Sequence, residues 1–189
     1  MKTAIILHGM PSKEEYFDAT TPSPSNSHWL PWIQKQLITH GVLAQTIELP
    51  EPYEPVYEKW GHIFNQLLID EETILIGHSC GAGFLVRWLS ENKVKTGKVA
   101  LVAPFLDPDH DEVQSNFFHF QIDSNIIERV KRMAVFFSTD DEKEILASVN
   151  QIRMAIPAIE MNEFVDKGHF TFGDMKSEEF PELLDWLVK

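Results

Sequence analysis

A serine between two glycines marks the part of the sequence best suited to chemistry. Residues 77–81 read Gly-His-Ser-Cys-Gly, which matches the G-x-S-x-G pattern of a serine held on a sharp turn between a strand and a helix. The apolar run 73–76 precedes the motif, and apolar residues at helical spacing follow it. In such a turn the hydroxyl stands clear of the sheet, and the helix N-terminus beneath it favours negative charge. We therefore predict that Ser79 is a nucleophile.

A serine hydroxyl attacks only when a base removes its proton, and that base needs a third group that orients it. His169 follows the sixth predicted strand in a turn that contains Gly168, and we predict that it is the base. Asp140 and Asp141 follow the fifth predicted strand, and one of them is the expected orienting acid. Their spacing alone does not distinguish the two. The order Ser, Asp, His along the chain is the order found where a G-x-S-x-G turn carries the serine.

Two backbone amides are expected to stabilise the negative charge that develops on the attacked carbonyl oxygen. The first belongs to Cys80, next to the serine, and the second is predicted to belong to Met10, in the loop after the first strand. The thiol of Cys80 is not expected to act as a nucleophile. Trp29, Phe105 and Phe170 lie near predicted strand ends, and we predict that they line the substrate pocket.

Strands and helices alternate along the chain and position these residues. Strands are predicted at 4–7, 42–49, 73–76, 98–102, 133–137 and 158–165, the last at an edge of the sheet. Helices are predicted at 27–40, 56–69, 124–132, 142–154 and 177–188, besides the one after the serine. This alternation predicts an α/β fold, a doubly wound, mostly parallel sheet of about six strands with helices on both faces. A strand order such as 2-1-3-4-5-6 brings the ends of the first and third strands to one crevice.

Two long connections interrupt the regular pattern. Residues 11–27 form either a rim or lid of the site or an ordinary surface excursion, and Ser12 with Glu15 predicts a short capped helix there. Residues 105–123 are acidic and aromatic, and we interpret their phenylalanines mainly as packing residues. No metal site is predicted at 107–111, because adjacent residues in one loop rarely converge on an ion. His8 and His78 are expected to structure the turns that they flank.

Composition excludes several classes of function. The formal net charge of −13 argues against binding to nucleic acid or to anionic membrane surfaces. No apolar run approaches the roughly 20 residues that a membrane-spanning helix needs. The length of 189 residues predicts one domain covering 1–189. A single cysteine excludes an intrachain disulfide and fits a reducing, cytoplasmic location.

Three motifs together resemble one family. Residues 77–81, 138–141 (Ser-Thr-Asp-Asp) and 168–170 (Gly-His-Phe) resemble the small serine hydrolases of the retinoblastoma-binding-protein-nine and YdeN type. The resemblance covers nearly the whole chain, and the Trp29–Trp32 region is also similar. It implies a reduced α/β-hydrolase fold without a large lid, and Asp141 as the orienting acid.

We therefore expect a serine hydrolase that cleaves small carboxylic esters or thioesters through an acyl-enzyme, with no cofactor and no metal. Ser79, His169 and Asp141 are the expected catalytic residues. Two alternatives share the scaffold: a binding protein with weak or no catalysis, and an acyltransferase that uses the same residues. The sequence indicates no particular protein partner.

Overall fold

A single sheet of six parallel strands lies at the centre of the part of the chain that the structure describes. This computed structural model describes residues 2–110, 113 and 115–189. The strand order is β2-β1-β3-β4-β5-β6, and each neighbouring pair is parallel. The strands are β1 (Thr3–Leu7), β2 (Leu43–Ile47), β3 (Ile74–His78), β4 (Thr96–Val102), β5 (Val130–Ser138) and β6 (Glu160–Phe164).

Helices occupy the connections between these strands. They are α1 (Lys13–Phe17), α2 (Leu30–Thr39), α3 (Tyr57–Phe64), α4 (Cys80–Glu91), α5 (Lys143–Ala155), α6 (Phe172–Met175) and α7 (Pro181–Val188). Short 3-10 helices cover Pro24–Asn26, Asn116–Phe118 and Ser124–Glu128. The predicted α/β class, the parallel sheet and the order 2-1-3-4-5-6 are confirmed, and β6 lies at an edge as predicted.

The central strands are apolar because both faces of the sheet are covered. Every residue of β3 is buried, and β1 is buried from Ala4 onward. Aromatic rings pack in two groups around them. One group contacts Phe84 of α4 and includes Trp60, Phe64 and Phe117; the other contacts Phe180 and includes Trp29, Phe136, Phe164 and Phe170.

Several predicted boundaries are wrong in ways that have local causes. The helix predicted at 56–69 ends at Phe64, and the segment predicted as a helix at 124–132 forms a 3-10 helix that ends at Glu128, because β5 already begins at Val130. Helix α6 was not predicted from the sequence, since it contains only four residues. The capping box predicted from Ser12 and Glu15 is present at the start of α1.

The register of the sheet brings two loops together. Strands β1 and β3 are neighbours, and Leu7 at the end of β1 pairs with Gly77 near the end of β3. The loops that follow these two strands therefore lie side by side at the carboxyl ends of the strands, which is where ligands bind in open parallel sheets. β5 and β6 also end on this side of the sheet, since Ser138 pairs with Phe164.

Candidate active site

Ser79 occupies a strained turn between β3 and α4. Its φ of 52° and ψ of −120° lie in a region that residues other than glycine rarely adopt. The flanking glycines make this turn possible. A Cβ on Gly77 would stand 2.6 Å from the backbone of Ala82, and one on Gly81 would stand 2.4 Å from the carbonyl oxygen of His8. The side chain of Ser79 consequently lines a crevice rather than packing in the core.

The ring of His169 lies between Ser79 and Asp141. Its Nε2 is 2.9 Å from the Ser79 Oγ, and its Nδ1 is 3.0 and 3.2 Å from the two carboxylate oxygens of Asp141. The Asp141 side chain is fully buried, whereas the His169 side chain is 24% exposed. A carboxylate at Nδ1 favours the tautomer whose Nε2 lone pair faces the serine hydroxyl. Such an arrangement is able to take the hydroxyl proton.

Asp140 holds the histidine loop from its other side. Its Oδ1 accepts hydrogen bonds from the Ser138 hydroxyl and, at 3.2 Å, from the Gly168 amide. These bonds favour the ionised form and lower the pKa of Asp140. The two adjacent aspartates therefore have separate positions: Asp141 contacts the His169 ring, and Asp140 contacts the backbone that precedes it.

Two further histidines hold the strand ends. His78 donates its Nε2–H to the carbonyl oxygen of His169 over 2.8 Å, and the Leu49 amide donates to the Nε2 of His8 over 3.0 Å. Burial lowers the pKa of both rings, that of His78 well below its ordinary value, so both are neutral near pH 7. The sequence-based expectation that these residues structure their turns agrees with these contacts.

A crevice of about 330 Å³ opens over Ser79 and His169. Met10, whose amide was predicted as an oxyanion donor, lines it together with Gly9. The connection 11–27 supplies one wall, including Glu15 and Tyr16, so it is a rim of the site. His28 also lines the crevice, although its position in the sequence gave no signal of this.

The sequence-based prediction of which aromatic residues line the pocket needs correction. Trp29 and Phe170 are completely buried and Phe105 is 7% exposed, and none of the three lines the crevice. Their large apolar rings gain more from packing in the core than from a wet crevice. Trp29 and Phe170 both contact Phe180, which precedes α7, and Phe105 contacts Phe118. The phenylalanines at 117 and 118 are buried too, as the packing interpretation expected.

Cys80 is adjacent to Ser79, but its thiol is buried. The residue is fully buried, and burial together with the charge of Asp107 raises the pKa of the thiol. A buried neutral thiol is unreactive, because the thiolate is the nucleophilic form. Cys80 begins α4 directly after Ser79, which places its amide at a helix N-terminus beside the hydroxyl.

The described residues contain neither a cluster of metal ligands nor a membrane-spanning helix. No group of three metal-ligating side chains close enough to hold an ion is found among them. Asp111, part of the acidic run considered in the sequence, lies outside the described residues. Within the described ranges, none of the helices combines the length and the apolar character needed to cross a bilayer.

Comparison with known proteins identifies the family. The model of the family described as serine hydrolase matches residues 21–185. The chain belongs to this serine hydrolase family. YdeN of Bacillus subtilis (strain 168), provisionally assigned as a hydrolase, is 29% identical over an alignment of 169 residues, and the match covers 84% of this chain and 86% of YdeN.

Solved structures confirm the α/β-hydrolase fold of this serine hydrolase. The crystal structure of the B. subtilis ydeN gene product has a TM-score of 0.82 at 27% identity and covers 100% of this chain and 97% of its own. A YdeN-like hydrolase from Pectobacterium atrosepticum has a TM-score of 0.65 at 19% identity, covering 99% of this chain and 89% of its own. Est1E from Butyrivibrio proteoclasticus scores 0.63 at 15% identity, covering 100% and 85%. The last two support the fold alone.

Proposed function

We propose that this serine hydrolase cleaves small carboxylic esters or thioesters through an acyl-enzyme on Ser79. The 2.9 Å contact between the His169 Nε2 and the Ser79 Oγ, with Asp141 behind the ring, carries the proposal. A hydroxyl and an imidazole at hydrogen-bond distance are the requirement for general-base activation of a serine.

In the proposed reaction, the Ser79 oxygen attacks the carbonyl carbon while its proton passes to the Nε2 of His169. The amides of Cys80 and Met10 donate hydrogen bonds to the oxyanion, and each is expected to lower the barrier by about 3 kcal/mol. The intermediate then collapses, the bond to the leaving group breaks, and His169 returns the proton to the departing alcohol or thiol. Water attacks the acyl-enzyme by the same steps in reverse. No step needs a metal or a cofactor.

The crevice supports a small substrate. Its volume of about 330 Å³ is at the lower end of ligand pockets. The site is also open to solvent, since the His169 side chain is 24% exposed. Water is therefore expected to reach the acyl-enzyme. Ready access of water favours hydrolysis over transfer of the acyl group to another acceptor.

A fluorophosphonate probe tests the proposal, because it reacts covalently only with an activated serine. Wild type is expected to be labelled, and Ser79→Ala is expected to lose the label and to lose about 10⁵–10⁶ in kcat on phenyl esters. Cys80→Ala serves as the matched control and is expected to keep the label. Well-folded wild type that resists the probe and hydrolyses no ester would overturn the proposal in favour of a binding protein. Products formed with competing alcohols or amines would identify an acyltransferase.

A further inference from the structure

His28 lies beside the proposed catalytic residues but is not one of them. Its ring lines the crevice with Ser79 and His169, and it packs edge-on against His78 at a centroid distance of 5.7 Å. The backbone at His28, two residues before α2, has a φ of 59°, an unusual conformation for a residue other than glycine. The ring therefore faces the substrate side of the site.

Hydrogen bonding fixes the tautomer of His28. The amide of Phe172 donates to its Nδ1 over 3.2 Å, so the single proton of the neutral ring lies on Nε2. Burial is the main cause that lowers the pKa of His28, and the neighbouring His169 is the second. The ring is therefore neutral. Its Nε2–H is consequently a hydrogen-bond donor that carries no charge.

This donor is unused by the protein. Among the described residues no partner for the His28 Nε2 is found, and the atom is not one of the buried polar atoms that lack a partner. The atom is therefore accessible to solvent, and the ring that carries it lines the same crevice as Ser79 and His169. Of the described residues that line the crevice, only Glu15 carries a fixed charge, and no lysine or arginine lines it. A substrate with a carboxylate or phosphate near the ester would find no cation there.

We propose that His28 determines substrate choice by donating its Nε2–H to an oxygen of the substrate that is not part of the scissile group. The substrate class is an uncharged ester or thioester with an ether, hydroxyl or carbonyl oxygen a few bonds from the reacting carbonyl, on the acyl or the leaving-group side. This inference rests on the proposed esterase function and specifies its substrate.

Two pairs of substrates of nearly equal shape test the proposal on each side. Phenyl methoxyacetate and phenyl butanoate differ by one oxygen in the acyl group, and 2-methoxyethyl butanoate and butyl butanoate differ by one oxygen in the leaving group. The readout is the ratio of kcat/KM between the members of each pair, compared between variant and wild type. Intrinsic reactivity and any general structural loss cancel in that comparison.

Two variants separate the contacts of the ring. Asn in place of His28 keeps an acceptor for the Phe172 amide and tolerates a positive φ, but it has no group at the Nε2 position. In one of the two pairs, His28→Asn is expected to lower the kcat/KM of the ether-containing ester, relative to that of its all-carbon counterpart, about fivefold. This is the contribution of one neutral hydrogen bond. His28→Gln places an amide N–H near the Nε2 position and is expected to restore part of the ratio. His40→Asn is the control, because His40 is exposed at the end of α2 and does not line the crevice, and it is expected to leave the ratios unchanged.

The outcomes distinguish this inference from the proposed function. Wild type that hydrolyses the esters, with unchanged ratios in His28→Asn, would overturn the role of His28 and leave the esterase proposal standing. An equal change of the ratios in His40→Asn would also overturn it. If wild type hydrolyses none of the four esters and does not react with the fluorophosphonate, the esterase proposal is overturned, and the substrate inference with it.

Discussion

The Nε2–H of His78 donates to the backbone carbonyl oxygen of His169 over 2.8 Å. His78 immediately precedes Ser79, so this one bond joins the turn that carries the serine to the loop that carries the histidine. The two rings are also in contact, with centroids 5.1 Å apart. Because His78 is buried and neutral, the bond is protected from competing water.

Replacement of His78 tests how far this bond positions His169. His78→Phe fills a similar volume but leaves the His169 carbonyl oxygen without a donor, which costs about 1–3 kcal/mol. We expect kcat to fall about tenfold or more with a smaller change in KM, measured on phenyl butanoate. His78→Gln retains an N–H donor and is expected to recover part of the loss. Equal activity of the two variants after correction for the folded fraction would contradict a positioning role.

The two aspartates are expected to respond differently to loss of charge. Asp141→Asn removes the carboxylate that faces the His169 Nδ1, and we expect kcat to fall by about 10³–10⁴. Asp140→Asn keeps an oxygen that accepts from Ser138 and Gly168, so a loss of no more than about tenfold is expected. Steady-state kinetics of both variants, with thermal melts to verify folding, make the comparison. The opposite ranking would show that Asp140 is the orienting acid.

Gly81 and Gly61 form a matched pair for the packing of the serine turn. A Cβ at Gly81 would collide with the backbone of His8, whereas one at Gly61 in α3 would meet nothing within 4 Å. We expect Gly81→Ala to lower the free energy of unfolding by about 1–3 kcal/mol or more and to reduce activity. Gly61→Ala is expected to raise it by about 0.5–1 kcal/mol, because alanine favours helix. Urea denaturation measures both, and similar effects of the two substitutions would refute the close approach at Gly81.

Buried His8 and His78 are expected to make the fold less stable in mild acid. Their pKa values are lowered in the folded protein, while in the unfolded chain each titrates near 6.5. Below that pH the unfolded state therefore binds more protons, and the free energy of unfolding falls by at most about 1.4 kcal/mol per pH unit for each ring, until the ring is protonated in the folded state as well. Above about pH 7.5 neither ring is protonated in either state, and this contribution stays constant.

Urea midpoints at pH 8, 6.5 and 5.5 measure this dependence, with His8→Gln as the comparison. Glutamine offers the Leu49 amide an oxygen acceptor in place of the His8 Nε2 but does not titrate. The variant is expected to lose less stability than wild type between pH 6.5 and 5.5. Parallel pH profiles would show that His8 is already able to accept a proton in the folded state.

Features that depend on residues close together in the chain could be predicted from the sequence. Apolar runs such as 98–102 identified strands, because a strand covered on both faces has no polar side. The spacing of Gly77, Ser79 and Gly81 identified the strained turn, because a residue with a Cβ does not fit at either glycine. The alternation of strands and helices then restricted the sheet to few orders, among them the one observed.

Features that depend on residues far apart in the chain could not be predicted, because they follow from how distant segments pack. The residue types of Asp140 and Asp141 are identical, and the packing of the loop around His169 determines which carboxylate faces the ring. Trp29 and Phe170 lie near strand ends but turn inward, because Phe180 offers their rings a buried contact. His28 lines the crevice, and its Nδ1 accepts from the amide of Phe172 at the start of α6, a helix too short to predict. Local patterns fix elements, whereas contacts between distant segments fix which side chains the crevice receives.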